Sequence, residues 1–295
     1  LTGGGARMLL QKLCANEIPA GAAGSVVYTP MLNDKGGFES DITVHCLDFD
    51  NYFIVTGSAQ PVRDLAWIRR HIDGEFCHAI DVTPMWSVLS LMGPKAAALL
   101  LSLLPRDFSL AAFPMNTFQH LSLGGATVRA ARVSYVGGPG WELYVPVEMC
   151  AAVYDALHAA GQAFGLRDCG YYALDALRIE AGRRAFPAEL SPDVNPYEAG
   201  LGFAVKLAKE DRFLGQAALR KLRLTANPAA MTQRLLIFVF PETQNFAWGG
   251  EPILREGIPV GELSSVGYSA TLKAMVGTGY VRASNPETVA QMLSS

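Results

Sequence analysis

A hairpin signal near the amino terminus is the strongest constraint on the fold of this chain. Residues 33–37, Asn-Asp-Lys-Gly-Gly, separate two runs of β-branched and aromatic residues at positions 26–28 and 42–44. Such a turn between two runs predicts a pair of antiparallel strands. Because residues 5–13 and 64–71 have the apolar spacing of helices, we expect helices packed on an antiparallel sheet, which is an α+β arrangement.

The middle of the chain repeats this combination of strands and helices. Residues 127–146 alternate and turn at the glycine-rich residues 137–140, which predicts a second hairpin. Further predicted elements are a strand at residues 88–92 and helices at residues 95–104, 150–164 and 170–181.

After residue 219 the pattern changes. Residues 220–232 are polar, and the strand-like runs that follow are short, without a long helix. We therefore expect an α+β region over residues 1–220, a linker near residues 221–231, and a small β-rich domain over residues 231–295.

Charge and hydropathy argue against two classes of partner. The 24 Lys and Arg and 27 Asp and Glu give a net charge of −3, without a run of like charges. This balance disfavours nucleic acid and anionic membrane surfaces. A membrane-spanning helix needs about 20 consecutive apolar residues. The best candidate, residues 87–104, is interrupted by Gly93, Pro94 and Lys95, so we expect no membrane segment.

Common cofactor and metal motifs are absent from the sequence. There is neither a GxGxxG nor a GxxxxGK[ST] motif, and the glycines at residues 3–5 follow no strand. The five histidines are dispersed and the five cysteines include no CxxC pair. We therefore expect no metal site and no flavin or NAD bound by this chain alone, and a reducing compartment fits the cysteines best.

Three charged residues occupy unusual positions. Alternation places Asp41 opposite the apolar Ile42 and Val44, where it faces either solvent or a cavity. Glu142 has the same alternatives on its strand. Arg178 falls on the apolar stripe of its helix, so its guanidinium needs a partner, which is Asp175, a ligand or a distant carboxylate. These residues alone do not name a reaction.

Longer motifs run along most of the chain, at residues 25–28, 31–44, 134–146, 173–182, 195–202 and 249–257. Taken in order, these motifs resemble the glycine-cleavage T-protein, or aminomethyltransferase, family. Further segments lie at residues 13–16, 54–57 and 67–70. They are similar to the branch of that family fused behind a flavin domain in dimethylglycine and sarcosine dehydrogenases, a branch that includes the regulatory subunit of pyruvate dehydrogenase phosphatase.

The resemblance implies a cloverleaf of two ferredoxin-like lobes and a C-terminal β-barrel domain, with tetrahydrofolate in a central channel. It also implies that FAD belongs to an N-terminal domain absent here, and that the chain is cut at both ends relative to the family. A flavin domain in the full-length protein is then an expected partner, beside a small-molecule substrate.

Five residues match positions with known roles in the family. Asp41 matches the catalytic aspartate, which can accept the proton that N10 of folate loses on ring closure. Tyr28 matches a tyrosine on the pterin side, and Val55 matches a folate-contacting position. Glu142 matches the glutamate that accepts paired N–H bonds from the pterin. Arg178 matches a helical arginine near the folate.

Two positions depart from the family pattern. Gly138 stands where most relatives have a glutamate, and Gly57 stands where the T-protein has an asparagine. Arg183 and Arg184 are interpreted either as a contact for a folate polyglutamate tail or as a solvated basic pair.

The sequence therefore predicts a tetrahydrofolate-binding one-carbon acceptor module that forms 5,10-methylenetetrahydrofolate as part of an N-methyl amine dehydrogenase. The alternatives are a non-catalytic regulatory module and a stand-alone demethylase with folate as acceptor. We expect the mitochondrial matrix or a bacterial cytoplasm as its location. The amine that supplies the carbon and the oligomeric state are left open.

Overall fold

The computed structural model describes residues 1–74, 76–225, 231, 233–240 and 246–283. It combines helices with antiparallel sheets, as the α+β prediction requires. The helices are α1 (Ala6–Leu13), α2 (Pro61–Arg70), α3 (Ala96–Leu103), α4 (Cys150–Gly161), α5 (Tyr171–Glu180) and α6 (Gln216–Thr225). The strands are β1 (Val26–Leu32), β2 (Phe38–Cys46), β3 (Tyr52–Val55), β4 (Trp86–Met92), β5 (Phe118–Leu123), β6 (Ala126–Ala131), β7 (Gly140–Pro146), β8 (Gln233–Phe240), β9 (Pro252–Arg255), β10 (Ile258–Ser269) and β11 (Ala274–Arg282).

The first sheet has the order β1-β2-β3 and contains the predicted hairpin. The Asn33 side chain closes its turn by accepting hydrogen bonds from the backbone N–H groups of Lys35 and Gly37, both at 3.0 Å. Gly36 has φ +85°, a conformation that favours glycine. Ile42 and Val44 on β2 are buried in one core with α1, which leaves Asp41 on the opposite face of the strand.

The second sheet has the order β4-β7-β6-β5 and packs its core against α3 and α4. The predicted hairpin of β6 and β7 is present, with Ala130 opposite Leu143. Strand β5 was not predicted. Its alternation is broken because Phe118 joins one apolar cluster while Leu121 and Leu123 join another.

The third sheet has the order β8-β11-β10-β9, and its described strands do not close into a barrel. The first residues of the predicted linker, 221–225, belong to α6, which continues to Thr225. Leu219, which is fully buried, anchors this helix to the core around Phe38. Residues 226–230 of the predicted linker lie outside the described residues.

Lys209 connects the segment before α6 to the end of α1. The Nζ atom of this buried lysine donates to the backbone oxygens of Gln11 and Cys14, both at 2.7 Å, and of Asn16 at 3.2 Å. Carbonyl groups at the carboxyl end of a helix have no N–H donor within the helix, and the Lys209 ammonium supplies the donor for those at and beyond the end of α1.

We expect the Lys209→Met variant to lose about 3 kcal/mol of the free energy of unfolding, because it leaves buried carbonyl groups without a donor. Urea denaturation measures the change. The control is Lys206→Met, since Lys206 is exposed and close in sequence. Equal stability of the two variants would contradict the role assigned to Lys209.

No helix in the described part of the chain is long and apolar enough to cross a membrane.

Candidate functional site

Strands β1 and β2 bring Tyr28 and Asp41 together. The Tyr28 hydroxyl donates a hydrogen bond to Asp41 Oδ2 at 3.1 Å. Burial raises the pKa of Asp41 to about 6, although the bond from Tyr28 opposes that rise. Burial and the Asp41 carboxylate raise the pKa of Tyr28 well above its usual value, so its hydroxyl stays protonated. Asp41 is therefore a carboxylate that can exchange a proton near neutral pH.

A second carboxylate, Asp64 on α2, lies behind Asp41. Asp64 is only 4% exposed and accepts hydrogen bonds from the hydroxyls of Ser40, at 2.7 Å, and Thr56. Because Ser40 precedes Asp41 on β2 and Thr56 follows Val55 on β3, Asp64 ties the two strand segments together. Its charge also contributes to the raised pKa of Asp41.

Val55 continues the same surface onto β3. It pairs with Thr43, which in turn pairs with Tyr28 on β1. The Val55 side chain also packs against the apolar cluster that contains Tyr144 from the second sheet. It therefore lies where the two sheets meet.

Glu142 lies on β7 of the second sheet. Its neighbours Trp141 and Leu143 are buried on the other face of the strand. The Tyr144 hydroxyl donates to Glu142 Oε2 at 2.5 Å. Burial raises the pKa of Glu142, and the bond from Tyr144 partly offsets this rise.

Aromatic side chains connect the two sheets between these polar residues. The buried His45 ring on β2 lies 5.1 Å from the Tyr144 ring and 5.6 Å from Phe118. Phe53 on β3 lies 5.4 Å from Tyr144. The sequence placed His45 on the same strand face as Asp41, and the second sheet buries that end of the face.

Arg178 on α5 is surrounded by protein groups. Its Nε donates to Asp175, its Nη1 to Glu189 and its Nη2 to Ser265, each at 2.7 Å. Two of the alternatives left open by the sequence, Asp175 and a distant carboxylate, are thus both present. In this conformation the guanidinium holds α5 to β10, so a folate contact by Arg178 stays a prediction.

Tyr135, which sequence reasoning did not single out, is close enough to both Asp41 and Arg178 for their charges to act on it. Its hydroxyl donates to the backbone oxygen of Arg184 at 3.0 Å. Burial raises its pKa to about 12, and the charges of Arg178, Glu189 and Asp41 all act on it. It belongs to a motif quoted for the family resemblance, which was the available signal for it.

Phe203 is a second residue that the sequence did not indicate. Its ring is 65% exposed and stacks against Tyr28, with ring centroids 6.5 Å apart.

Arg184, one of the predicted basic pair, is partly buried and donates to the backbone oxygens of Ala199, at 2.8 Å, and Gly182. It is therefore not a freely solvated side chain.

The two glycines that depart from the family pattern have different surroundings. A Cβ atom added at Gly138 would meet nothing within 4 Å, so the backbone surroundings do not require a glycine there. A Cβ atom at Gly57 would lie 2.4 Å from Gln60 Oε1, so a side chain there requires Gln60 to move.

Comparisons with known families cover both parts of the chain. Residues 1–209 match the family described as GCVT N-terminal domain, and residues 233–292 match the glycine cleavage T-protein C-terminal barrel domain. The chain belongs to the glycine cleavage T-protein family. The crystal structure of aminomethyltransferase T from Bartonella henselae has the same fold, with a TM-score of 0.81 over 95% of this chain and 74% of that one, at 23% identity. The boundaries at residues 220 and 231 stay predictions.

The curated relatives include dehydrogenases, aminomethyltransferases and a phosphatase regulatory subunit. The chain is 39% identical to mitochondrial sarcosine dehydrogenase from Mus musculus over 274 residues, which cover 88% of this chain and 29% of that protein. It is 33% identical to aminomethyltransferase from Geobacillus kaustophilus, over 95% of this chain and 75% of that protein. The mouse pyruvate dehydrogenase phosphatase regulatory subunit is also 33% identical, over 95% of this chain and 32% of that protein.

Among the described residues, no group of three or more His, Cys, Asp and Glu side chains could hold a metal ion.

Proposed function

We propose that this chain binds tetrahydrofolate and acts as a one-carbon acceptor module that forms 5,10-methylenetetrahydrofolate. The observation that carries the proposal is the hydrogen bond of 3.1 Å from the Tyr28 hydroxyl to Asp41. The pKa of Asp41 is raised to about 6. A protonated hydroxyl beside a carboxylate of this pKa is suited to holding an amine and accepting its proton.

The described residues fit a reduced folate. Bound tetrahydrofolate would supply its N5 and N10 amines as the acceptors of one carbon. Glu142 Oε1 accepts no hydrogen bond from the described residues, so it is available to the N–H edge of a pterin. Val55 would contact the ring system at the junction of the sheets, and the exposed Phe203 ring offers a stacking surface beside Tyr28.

Asp41 would perform the proton transfer. Its carboxylate accepts the proton that the attacking amine loses as the second carbon–nitrogen bond forms, which balances the charge of that step. Tyr28 holds the carboxylate in place through its hydroxyl. Arg178 stays in the proposed site as a residue that fixes the position of α5 through its bond to Glu189.

The wider protein is proposed to be an N-methyl amine dehydrogenase. The chain spans only 29% of the sarcosine dehydrogenase that it matches. A flavin domain elsewhere in the full-length protein would oxidise the amine, and this module would receive the carbon. A mitochondrial matrix or bacterial cytoplasmic location is part of the same proposal.

Isothermal titration with tetrahydrofolate tests the binding step. We expect the wild-type chain to release heat with a one-to-one stoichiometry, and Glu142→Gln to weaken binding by about tenfold or more, because a charge-assisted acceptor is lost. Glu148→Gln, which changes an exposed glutamate just beyond β7, should bind as the wild type does. The absence of any binding heat from the wild type at millimolar tetrahydrofolate would contradict the proposal.

A regulatory module is the second candidate. The glycine at residue 138 favours it, because the family glutamate that could assist the chemistry is absent there. The similarity to the phosphatase regulatory subunit is compatible with this candidate. Folate binding without any formation of methylenetetrahydrofolate would favour regulation over catalysis.

A further inference from the structure

We propose that Tyr144 is a positioning residue that holds the Glu142 carboxylate in the orientation in which Oε1 receives the ligand. This inference rests on the proposed function, in which Glu142 accepts the N–H edge of the pterin. Tyr144 does not touch the ligand in this arrangement and acts only through Glu142.

The hydrogen bond itself is short and one-directional. The Tyr144 hydroxyl donates to Glu142 Oε2 at 2.5 Å, and both side chains leave the same face of β7. Burial and the Glu142 charge raise the pKa of Tyr144 far above its usual value, so the hydroxyl remains a donor. One carboxylate oxygen is thus occupied and the other is left for a ligand.

The Tyr144 ring is held from several elements at once. It is 1% exposed, and the rings of His45 and Phe53 approach it at interplanar angles of 87° and 80°. Because edge-to-face packing of buried rings is specific in geometry, the hydroxyl has little freedom to move away from Glu142.

The two titratable neighbours of Tyr144 on the facing strands, Arg129 and His45, make no hydrogen bond to Glu142 in the described part of the chain. Arg129 on β6 lies directly opposite Tyr144, and its guanidinium carbon lies over the Phe53 ring, 4.6 Å from the ring centroid. Its positive charge acts to lower the pKa of Tyr144, which favours proton donation by the hydroxyl. Burial and Arg129 lower the pKa of His45 to about 3, so His45 is neutral. Neither ring nitrogen of His45 has a hydrogen-bond partner in the described part of the chain.

The test compares Tyr144→Phe with the wild type, because this change removes one hydroxyl and keeps the packed ring. We expect the dissociation constant for tetrahydrofolate to rise about tenfold, while turnover at saturating folate stays near the wild-type value. The loss should be greater near pH 6 than near pH 8. The Tyr144 hydroxyl stabilises ionised Glu142, so its removal raises the pKa of that carboxyl. On acidification, the variant therefore loses folate binding at a higher pH than the wild type does.

A matched control and a double variant distinguish positioning from a general structural effect. Tyr154→Phe removes an equivalent bond on the surface, where the hydroxyl donates to Asp168 at 2.8 Å, and should leave binding unchanged. In the Glu142→Gln background, Tyr144→Phe should cost far less affinity than it does alone.

Equal losses in both backgrounds, or wild-type affinity and pH dependence in Tyr144→Phe, would overturn this inference and leave the proposed function standing. A wild-type chain that binds no tetrahydrofolate would overturn the proposed function, and this inference with it.

Discussion

Replacing Asp41 by Asn is expected to lower the rate of methylenetetrahydrofolate formation by about 10²- to 10⁴-fold while folate binding changes little, since the variant cannot accept a proton. In the wild type, the rate should rise with pH through about pH 6, where Asp41 becomes ionised. Formaldehyde and tetrahydrofolate serve as substrates in the assay, and Asp155→Asn, on the exposed face of α4, is the control.

The same variant should be more stable than the wild type. Folding raises the pKa of Asp41 from 3.8 to about 6, so the buried charge costs on the order of 3 kcal/mol above pH 6. The cost falls to below about 1 kcal/mol at pH 4 and disappears only below pH 3.8, where both folded and unfolded chains carry a protonated Asp41. Asparagine avoids the charge and retains an oxygen that can accept from Tyr28.

Chemical denaturation at about pH 8 and pH 4 measures the difference. A variant that is stabilised only at the higher pH, and that has lost turnover, fits a functional carboxylate kept at the expense of stability. Wild-type turnover by Asp41→Asn would exclude the proton-transfer role.

Replacing Glu189 by Gln is expected to remove about 3 kcal/mol from the free energy of unfolding, because the buried Arg178 guanidinium loses its buried counter-charge and keeps only the half-exposed Asp175. Glu189 is 1% exposed and lies 2.7 Å from Arg178 Nη1. Its other oxygen accepts from Ser265 at 2.6 Å and Thr278 at 2.9 Å. It therefore joins the α+β part of the chain to the C-terminal sheet.

The control is Glu180→Gln, which alters another contact between α5 and the C-terminal sheet. Glu180 accepts from Ser269 and Thr271 at 2.7 Å, nearer to solvent, and its replacement should cost under about 1 kcal/mol. The Arg178→Gln, Glu189→Gln double variant should recover part of the loss, since no unpaired charge is then buried. Equal effects of Glu189→Gln and Glu180→Gln in urea denaturation would contradict the buried-pair explanation.

Much of the first lobe could be predicted from the sequence because its determinants are local. The turn at residues 33–37 contains the asparagine and glycines that such a hairpin needs, and strand alternation separates Asp41 from Ile42. The residues paired in a hairpin follow from its turn, so the approach of Tyr28 to Asp41 was also predictable. The predicted helices failed only at their ends, where the hydrogen-bonding pattern frays.

The sixth helix shows where local patterns failed, because no helix was predicted at Gln216–Thr225. The second half of α6 alternates basic residues with leucines, and residues 221–225 were interpreted as part of a connection. The helix forms because buried Leu219 packs against the core around Phe38, a contact that the composition of residues 220–232 does not reveal.

The sequence by itself determined the α+β class, the hairpins and the strand faces that carry Asp41 and Glu142, because turn chemistry and side-chain alternation act over a few residues. Only the tertiary structure decided the partners of those faces. It buried His45 between the sheets, paired Arg178 with Glu189 and Ser265, and bonded the Tyr135 hydroxyl to the backbone oxygen of Arg184. These contacts depend on how separately formed layers pack together, and no local periodicity encodes that packing.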